Sequence, residues 1–539
     1  MGTYFLKDIF FQICFFMLVA LWILFPAVQN FGEIIPAAQI SDIWNGLWSL
    51  DFVHQSIFQG RLPTCTESLN YPKGGCLWPS DMLGALLTLP LSFFSLTQQY
   101  TLLVLIQLVI TGMGMACLLR EIFPKTTILQ TCLAGFMMMD STPMRIAIHN
   151  GSTEALSIGW VILALWGFLL FRRGKYWGLG FLLLSILASW YGVVVVLTFM
   201  GINILWEKDS RKRALIGAGI YLVLLLPYAY FVSSVSTGKG NLIQIKGAGE
   251  LDMVRRTIGA MDPLSYMMPY PYVSPDFSLI SRYGEQFVHS GYLGWVLLGF
   301  GAWNWRKISD KRRFLPFVLL GIVFFILSLG PVLVQEGEPV LFGNLGIPLP
   351  YFMLERLWGF SGLSLLFRWG FVPLLGLGLV ASTRSSPRAV LLLGLLIALE
   401  NRVISPVKNL PAFTKSPNAE GMLILQAAPS GAVGSLPIVG GRETLYWQTI
   451  HQKEMMVGLN FTSNNVFRRF LDAGMRLKDT ENFRDQMEMF AQQNGLRYLI
   501  INLDPSIMPD QYSELMMVFQ NNFPSVYSAE KEYSILKLY

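Results

Sequence analysis

The sequence predicts a polytopic α-helical membrane protein with a small α/β domain at its carboxy-terminal end, and three observations predict it. Of the 539 residues, 53% are hydrophobic and only 14% are charged, where a soluble protein of this size carries about a quarter charged residues. Apolar runs of bilayer-crossing length recur along residues 9–404. From about Ser405 the pattern changes to short strands alternating with helices, as in a small α/β layer. Two domains are therefore expected: a transmembrane domain over 1–404 and an extracytoplasmic domain over 405–539.

The expected spans lie near residues 9–30, 100–119, 126–141, 153–171, 176–188, 190–206, 214–233, 290–304, 315–334, 358–381 and 389–404, about eleven in all. No small-residue cleavage site follows Ile9 to Val28, which reads as an uncleaved signal anchor. Met82 to Leu96 is broken by Pro90 and reads as a half-helix at the surface. With that choice, the connections holding Arg120 and Lys125, Arg172-Arg173, Arg211-Lys212-Arg213, Arg306 to Arg313, and Arg384 with Arg388 fall on one side. Short basic connections mark the cytoplasmic face. The amino terminus is then cytoplasmic, and the long connections 31–99, 142–152, 234–289 and 335–357 face outward with the tail. All four histidines, His54, His149, His289 and His451, share that outer side. The expected location is the inner or plasma membrane, with a periplasmic tail.

In the tail, strands are expected at Gly434 to Val439, Met455 to Leu459, Tyr498 to Leu503 and Tyr533 to Leu538. Helices are expected at Glu443 to His451, Val466 to Arg476, Glu481 to Gln493 and Gln511 to Gln520. Val439-Gly440-Gly441 is too short to mark a phosphate loop. No nucleophile elbow, His-Glu-x-x-His helix, Walker loop or nucleic-acid signature is present. Five cysteines without metal-type spacing argue against a zinc or iron–sulfur site. Cys65 and Cys76 share the first loop and are the pair to be joined if that loop faces an oxidising compartment.

Chemistry is expected to begin in the first loop, where Asp42, Asp51 and His54 lie among Trp44, Trp48 and Phe52. An aromatic, partly dry surface displaces a carboxyl's pKa and can stack a sugar or a lipid head group. At about 100° per residue, a helix puts Asp42 opposite Asp51 and Asp51 beside His54. Ser41 or Asp42 merely capping this helix is the alternative reading. At a second outer mouth, His149 and Glu154 are placed to bind a hydroxyl or relay a proton; Ser152 or Thr153 capping the next helix is the alternative. Arg368 lies in or at the end of an apolar span and must snorkel, pair with an acid or meet a phosphate. Asn150-Gly151-Ser152 and Asn460-Phe461-Thr462 fit the glycosylation acceptor pattern.

An uncleaved first span, a long external first loop with an acid just beyond it, about eleven spans and an external tail domain together resemble the GT-C superfamily of integral-membrane glycosyltransferases. The segments Ser41-Asp42 to Trp48, Tyr71-Pro72-Lys73-Gly74, Asp262-Pro263, Leu329-Gly330-Pro331 and Tyr446 to His451 also look like a large, uncharacterised bacterial branch of it. The resemblance implies a sugar donor carried on a polyprenyl phosphate in the membrane lipid, and an extracytoplasmic glycan, lipid or protein acceptor. It maps the family's first-loop aspartate, a base or metal ligand, onto Asp42, with Asp51 in reserve and inversion at the sugar. His54, His149, Glu154, Arg255, Arg356 and Arg368 are the expected substrate-binding residues, the arginines covering the leaving phosphate. A divalent metal, Mg or Mn, stays open, because no Asp-x-Asp or adjacent Asp-Glu pair stands in the first loop and no Trp-Trp-Asp in the tail. A non-catalytic scaffold that docks a protein partner through the tail is the second reading. A transporter, weakened by the scarcity of charge in the spans, is the third.

Overall fold

The computed structural model describes residues 2–39, 41–77, 79, 81–207, 210–237, 259–268, 288–308, 311–335, 338–343, 345–357, 360, 363–383, 386–403, 411–436, 443–456, 465–503, 510–529 and 532–539. The chain forms two compact units, 1–39, 80–228 and 246–414 in the first and 40–79, 229–245 and 415–539 in the second.

The first unit is helical. Helices occupy every apolar run from the sequence: Gly2–Ile23, Leu96–Ile122, Ile128–Met139, Ile158–Arg172, Gly178–Ala188, Trp190–Trp206, Arg211–Thr237, Trp295–Lys307, Leu315–Ser328, Phe371–Ala381 and Pro387–Val403. Among the described residues, Leu96–Ile122 and Arg211–Ser233 are long and apolar enough to cross a bilayer, and several others are shorter apolar helices. The Pro90 stretch forms the Met82–Thr88 helix and the 3-10 turn Leu89–Leu91. Small residues bring helices close: a Cβ on Gly159 would lie 2.6 Å from the backbone nitrogen of Thr111.

The ends of this bundle are chemically distinct. Arg173 pairs with Glu121, Arg213 donates to the Arg172 carbonyl at 3.3 Å and Arg313 to the Ile122 carbonyl at 3.4 Å. Three basic connections thus meet at one end. Arg172 bonds Asn203 and Glu207 at that end, whereas Ser189 Oγ reaches Glu154 at 3.0 Å at the other. Ile158–Arg172 and Trp190–Trp206 therefore run parallel, Gly178–Ala188 returning between them. Fifteen helical residues set the two ends about 22 Å apart.

Two buried acids of this unit have several polar partners each. Arg145 and Asp140, 2% and 0% exposed, form an ion pair at 2.5 Å, closed by Asn401, which donates to Asp140 Oδ2 at 3.2 Å and receives Arg145 on its carbonyl at 3.3 Å. Glu400 accepts from Tyr292 Oη at 2.8 Å and the Trp295 and Val296 amides at 2.6 and 3.2 Å, closing the amino-terminal end of Trp295–Lys307 with a carboxylate.

The second unit joins the first loop to the tail. Its sheet has strands β1 (Ala432–Leu436), β2 (Leu496–Asn502), β3 (Ser525–Ala529) and β4 (Tyr533–Lys537) in the order β3-β4-β2-β1. β1 and β2 are parallel; β4 is antiparallel to both β2 and β3. Helices Glu420–Ala427, Glu443–His451, Asn465–Leu477, Phe483–Gln493 and Asp510–Asn522 accompany it. The core holds Trp48, Leu69 and Leu77 of the first loop together with Trp447, Met455, Phe467, Ile500 and Phe519. The Ile43–Phe58 helix docks by Trp48 Nε1, which donates to Gln448 Oε1 at 2.8 Å, and by Trp44, 5.9 Å from Tyr446. Met455 donates to the Ser68 carbonyl at 2.8 Å, and Tyr71 donates to the Met455 carbonyl at 2.9 Å. The first loop thus adds an edge to the tail domain. Positions 437–442 and 457–464 lie outside the described residues, and with them Val439-Gly440-Gly441 and the Asn460 acceptor pattern.

Candidate functional site

The predicted site residues divide between the two units. Asp42, Asp51, His54, Cys65 and Cys76 belong to the second; His149, Glu154, Arg356 and Arg368 belong to the first. Arg255 lies outside the described residues.

In the first unit, Arg368 and Glu154 come together across 214 residues of sequence. Arg368 Nη1 meets Glu154 Oε2 at 2.5 Å with both side chains 10% exposed, and Nη2 donates to Ser152 Oγ at 2.9 Å. The guanidinium lies 5.0 Å from the centre of the Tyr191 ring, and Tyr191 in turn accepts from the Leu365 amide and the Trp369 indole. Of its three options, Arg368 takes an acid. A cavity beside it is lined by Arg368, Ser152, Asn150, Ser290 and Phe367 and holds a single water-sized volume. Asn150 is 1% exposed and exchanges two bonds with the Val288 backbone, which withdraws it from glycosylation. His149, one residue earlier, is pushed down to about 4 by burial and is neutral at pH 7. Its Nδ1 has no hydrogen-bond partner among the described residues. Arg356 is exposed, its guanidinium 5.0 Å from the Phe352 ring centre.

Asp81 escaped the sequence reading. It caps the Met82–Thr88 helix, Oδ1 accepting from the Gly84 amide at 2.7 Å, and Gly84 leaves room for it, since a Cβ there would lie 2.1 Å from Asp81 Oδ2. The second oxygen is buried with no hydrogen-bond partner among the described residues. Burial, and less strongly the charge of Glu154, push this carboxyl up to about 8. An aspartate before an apolar run signals a cap; nothing in the sequence signals the dry surroundings.

In the second unit, Asp42 precedes the first turn of Ile43–Phe58. Asn45 Nδ2 donates to its Oδ1 at 3.4 Å, and its side chain accepts no capping bond from the helix backbone. Asp51 lies on the following turns and is pushed up to about 6 by burial, against hydrogen bonds from Gln55 and Gln452. His54, 4% exposed, belongs to the same helix. Cys65 and Cys76 are disulfide-bonded across a two-strand ladder, Cys65–Thr66 against Gly75–Cys76. Among the described residues no three His, Cys, Asp or Glu side chains converge on a point. The donor set of a Mg or Mn ion is therefore not met there, and no chemistry is routed through one.

The archaeal oligosaccharyltransferase AglB of Archaeoglobus fulgidus, in complex with an inhibitory peptide and a dolichol-phosphate, superposes over 97% of this chain and 74% of its own with a TM-score of 0.54 at 12% identity. The chain has the GT-C fold. The arabinofuranosyltransferase AftD from Mycobacteria matches over 98% of this chain and 39% of its own, with a TM-score of 0.51 at 12% identity. These GT-C proteins are membrane proteins, in keeping with the helical first unit. No protein-family model matches the sequence, and no curated protein does.

Proposed function

We propose that the chain is a membrane glycosyltransferase that moves a sugar from a polyprenyl-phosphate-linked donor onto an extracytoplasmic glycan, lipid or protein. The observation that carries this reading is the agreement in fold over 97% of the chain with a structure that holds dolichol-phosphate. The paired Arg368 and Glu154 beside Ser152 support it, because a guanidinium held by an acid and a hydroxyl keeps its orientation when a phosphate arrives.

In this reading Asp42 takes the proton from the acceptor hydroxyl as its oxygen attacks the anomeric carbon. The bond from that carbon to the carrier phosphate breaks, the phosphate leaves with the electron pair, and the configuration inverts. Arg368, with Arg356 and Arg255 as further cations, offsets the charge growing on the leaving group. Asp51 is the reserve base, because a carboxyl at about 6 accepts a proton effectively near neutral pH.

The second reading is a non-catalytic member that docks a protein partner through the tail. Asp42→Asn separates the two. Under the transferase reading, sugar transfer from a lipid-linked donor falls by about 100-fold or more, while the protein stays folded in the membrane. Full activity in Asp42→Asn, with Asp51→Asn inactive, would move the base to Asp51. Full activity in both would remove the catalytic assignment, and deletion of 405–539 would then be the change that abolishes function.

A further inference from the structure

We infer that the cleft between the disulfide hairpin and the carboxy-terminal half of the Ile43–Phe58 helix is a binding site for a neutral saccharide. The cleft has a volume of about 610 Å³, within the range of about 300–1,000 Å³ usual for small-ligand sites, and it lies wholly within the second unit. It stands whether or not the chain transfers sugar, since nothing in it depends on a donor.

The lining names the ligand class. Ordinary small-molecule pockets are mostly apolar, whereas this one presents the amides of Gln55, Gln59 and Gln452 and the hydroxyls of Ser56, Thr66 and Ser68. Amides and hydroxyls both donate and accept, which matches a polyol whose every hydroxyl does the same. The charged lining residues cancel: Arg61 and Lys73 stand against Glu67 and Glu454. No field of one sign favours an anion or a cation. Phe52 adds an aromatic surface, its ring stacked on Trp48 at 5.1 Å and 10°, the kind of flat apolar face on which the C–H side of a sugar ring rests.

The cleft is also built to hold its shape. Asp51 lies behind it and accepts from Gln55 Nε2 at 2.7 Å and from the Gln452 side chain, so one carboxylate orients two of the three lining amides. The disulfide pins the hairpin that forms the opposite wall. Gln452 has a φ of 58°, a left-handed conformation that costs a non-glycine residue roughly 1 kcal/mol and tends to persist at ligand clamps. Asn70, at the turn of the hairpin, shares it with a φ of 60°. Fixed amides on a strained, cross-linked frame have little orientational freedom left to lose when a sugar binds.

The test is binding of the full chain, in lipid nanodiscs without any lipid-linked donor, to an array of neutral and acidic oligosaccharides. Hits are followed by saturation-transfer NMR and titration. At least one neutral oligosaccharide should bind, and Gln59→Trp, which fills the mouth from an exposed position, should weaken it by about tenfold or more. Gln452→Gly removes an amide while keeping the backbone conformation and should weaken it as well; unchanged thermal unfolding shows that each variant is folded. Absence of any neutral ligand at millimolar concentration, a preference for acidic glycans, or binding that survives Gln59→Trp would overturn the inference. Loss of transfer with this binding intact refutes only the transferase reading, and transfer without this binding refutes only the cleft.

Discussion

At the scale of single residues, the consequential feature is that acids here are placed in dry surroundings and given different partners. Glu154 is met by Arg368 and Ser189, Asp140 by Arg145 and Asn401, and Glu400 by a tyrosine and two backbone amides. Asp81 has one backbone amide on one oxygen. Its carboxyl holds a proton up to about pH 8, against an ordinary value of 3.8. Between those two values the unfolded chain has released a proton that the folded chain retains, so the folded state loses stability as pH rises through the window. Asp81→Asn keeps an oxygen for the Gly84 amide and has nothing to ionise. Its thermal unfolding in detergent should therefore match the parent near about pH 4 and exceed it near about pH 9. Parallel pH profiles for the two proteins would show that Asp81 has an ordinary pKa.

At the scale of elements, the disulfide ladder is the smallest piece on which a larger one depends. Its eleven-residue separation closes a short loop, and such a closure stabilises by about 3 kcal/mol, chiefly through the unfolded chain. Reduction should free the segment between Arg61 and Cys76, so trypsin should cut after the exposed Lys73 many times faster in reduced protein, read on reducing gels. Equal rates with and without reductant would mean that packing on Leu69 and Leu77 alone holds the wall. The elements themselves were largely legible, because their periodicity is local: the expected helices at Glu443 to His451 and Glu481 to Gln493 appear as Glu443–His451 and Phe483–Gln493. The strand Ser525–Ala529, half exposed at a sheet edge, carries no apolar alternation and went unread, as did the short helix Glu420–Ala427. The docking of the first loop on the tail was illegible for another reason. Trp48 and Gln448 are 400 residues apart, and a tryptophan's need for an acceptor does not say which acceptor it finds.

At the scale of the whole molecule, the distribution of charge carries what hydrophobicity cannot, namely which side is which. Apolar runs marked where helices form, but the parity of the spans and the basic connections together decide orientation. The arginines of three such connections gather at one end of the bundle, Arg173 on Glu121, Arg213 on Arg172 and Arg313 on Ile122, while Glu154, Ser189 and Arg368 meet at the other. In the proposed orientation the basic end faces the cytoplasm and the other end faces outward, where a lipid-carried sugar would be handled. We propose an odd number of spans, which would put the carboxy-terminal tail outside and the amino terminus inside. Alkaline phosphatase fused after Tyr539 acts only when exported, and a green fluorescent protein fused there fluoresces only when it is not. The phosphatase fusion should be active and the fluorescent one dark, with the opposite pattern for fusions truncated in the basic connection after Trp206. If the full-length fusion instead fluoresces, the tail and Asp42 cannot be on the outer face together with an odd span count. The base of the proposed reaction would then be cut off from an extracytoplasmic acceptor, whatever its chemistry.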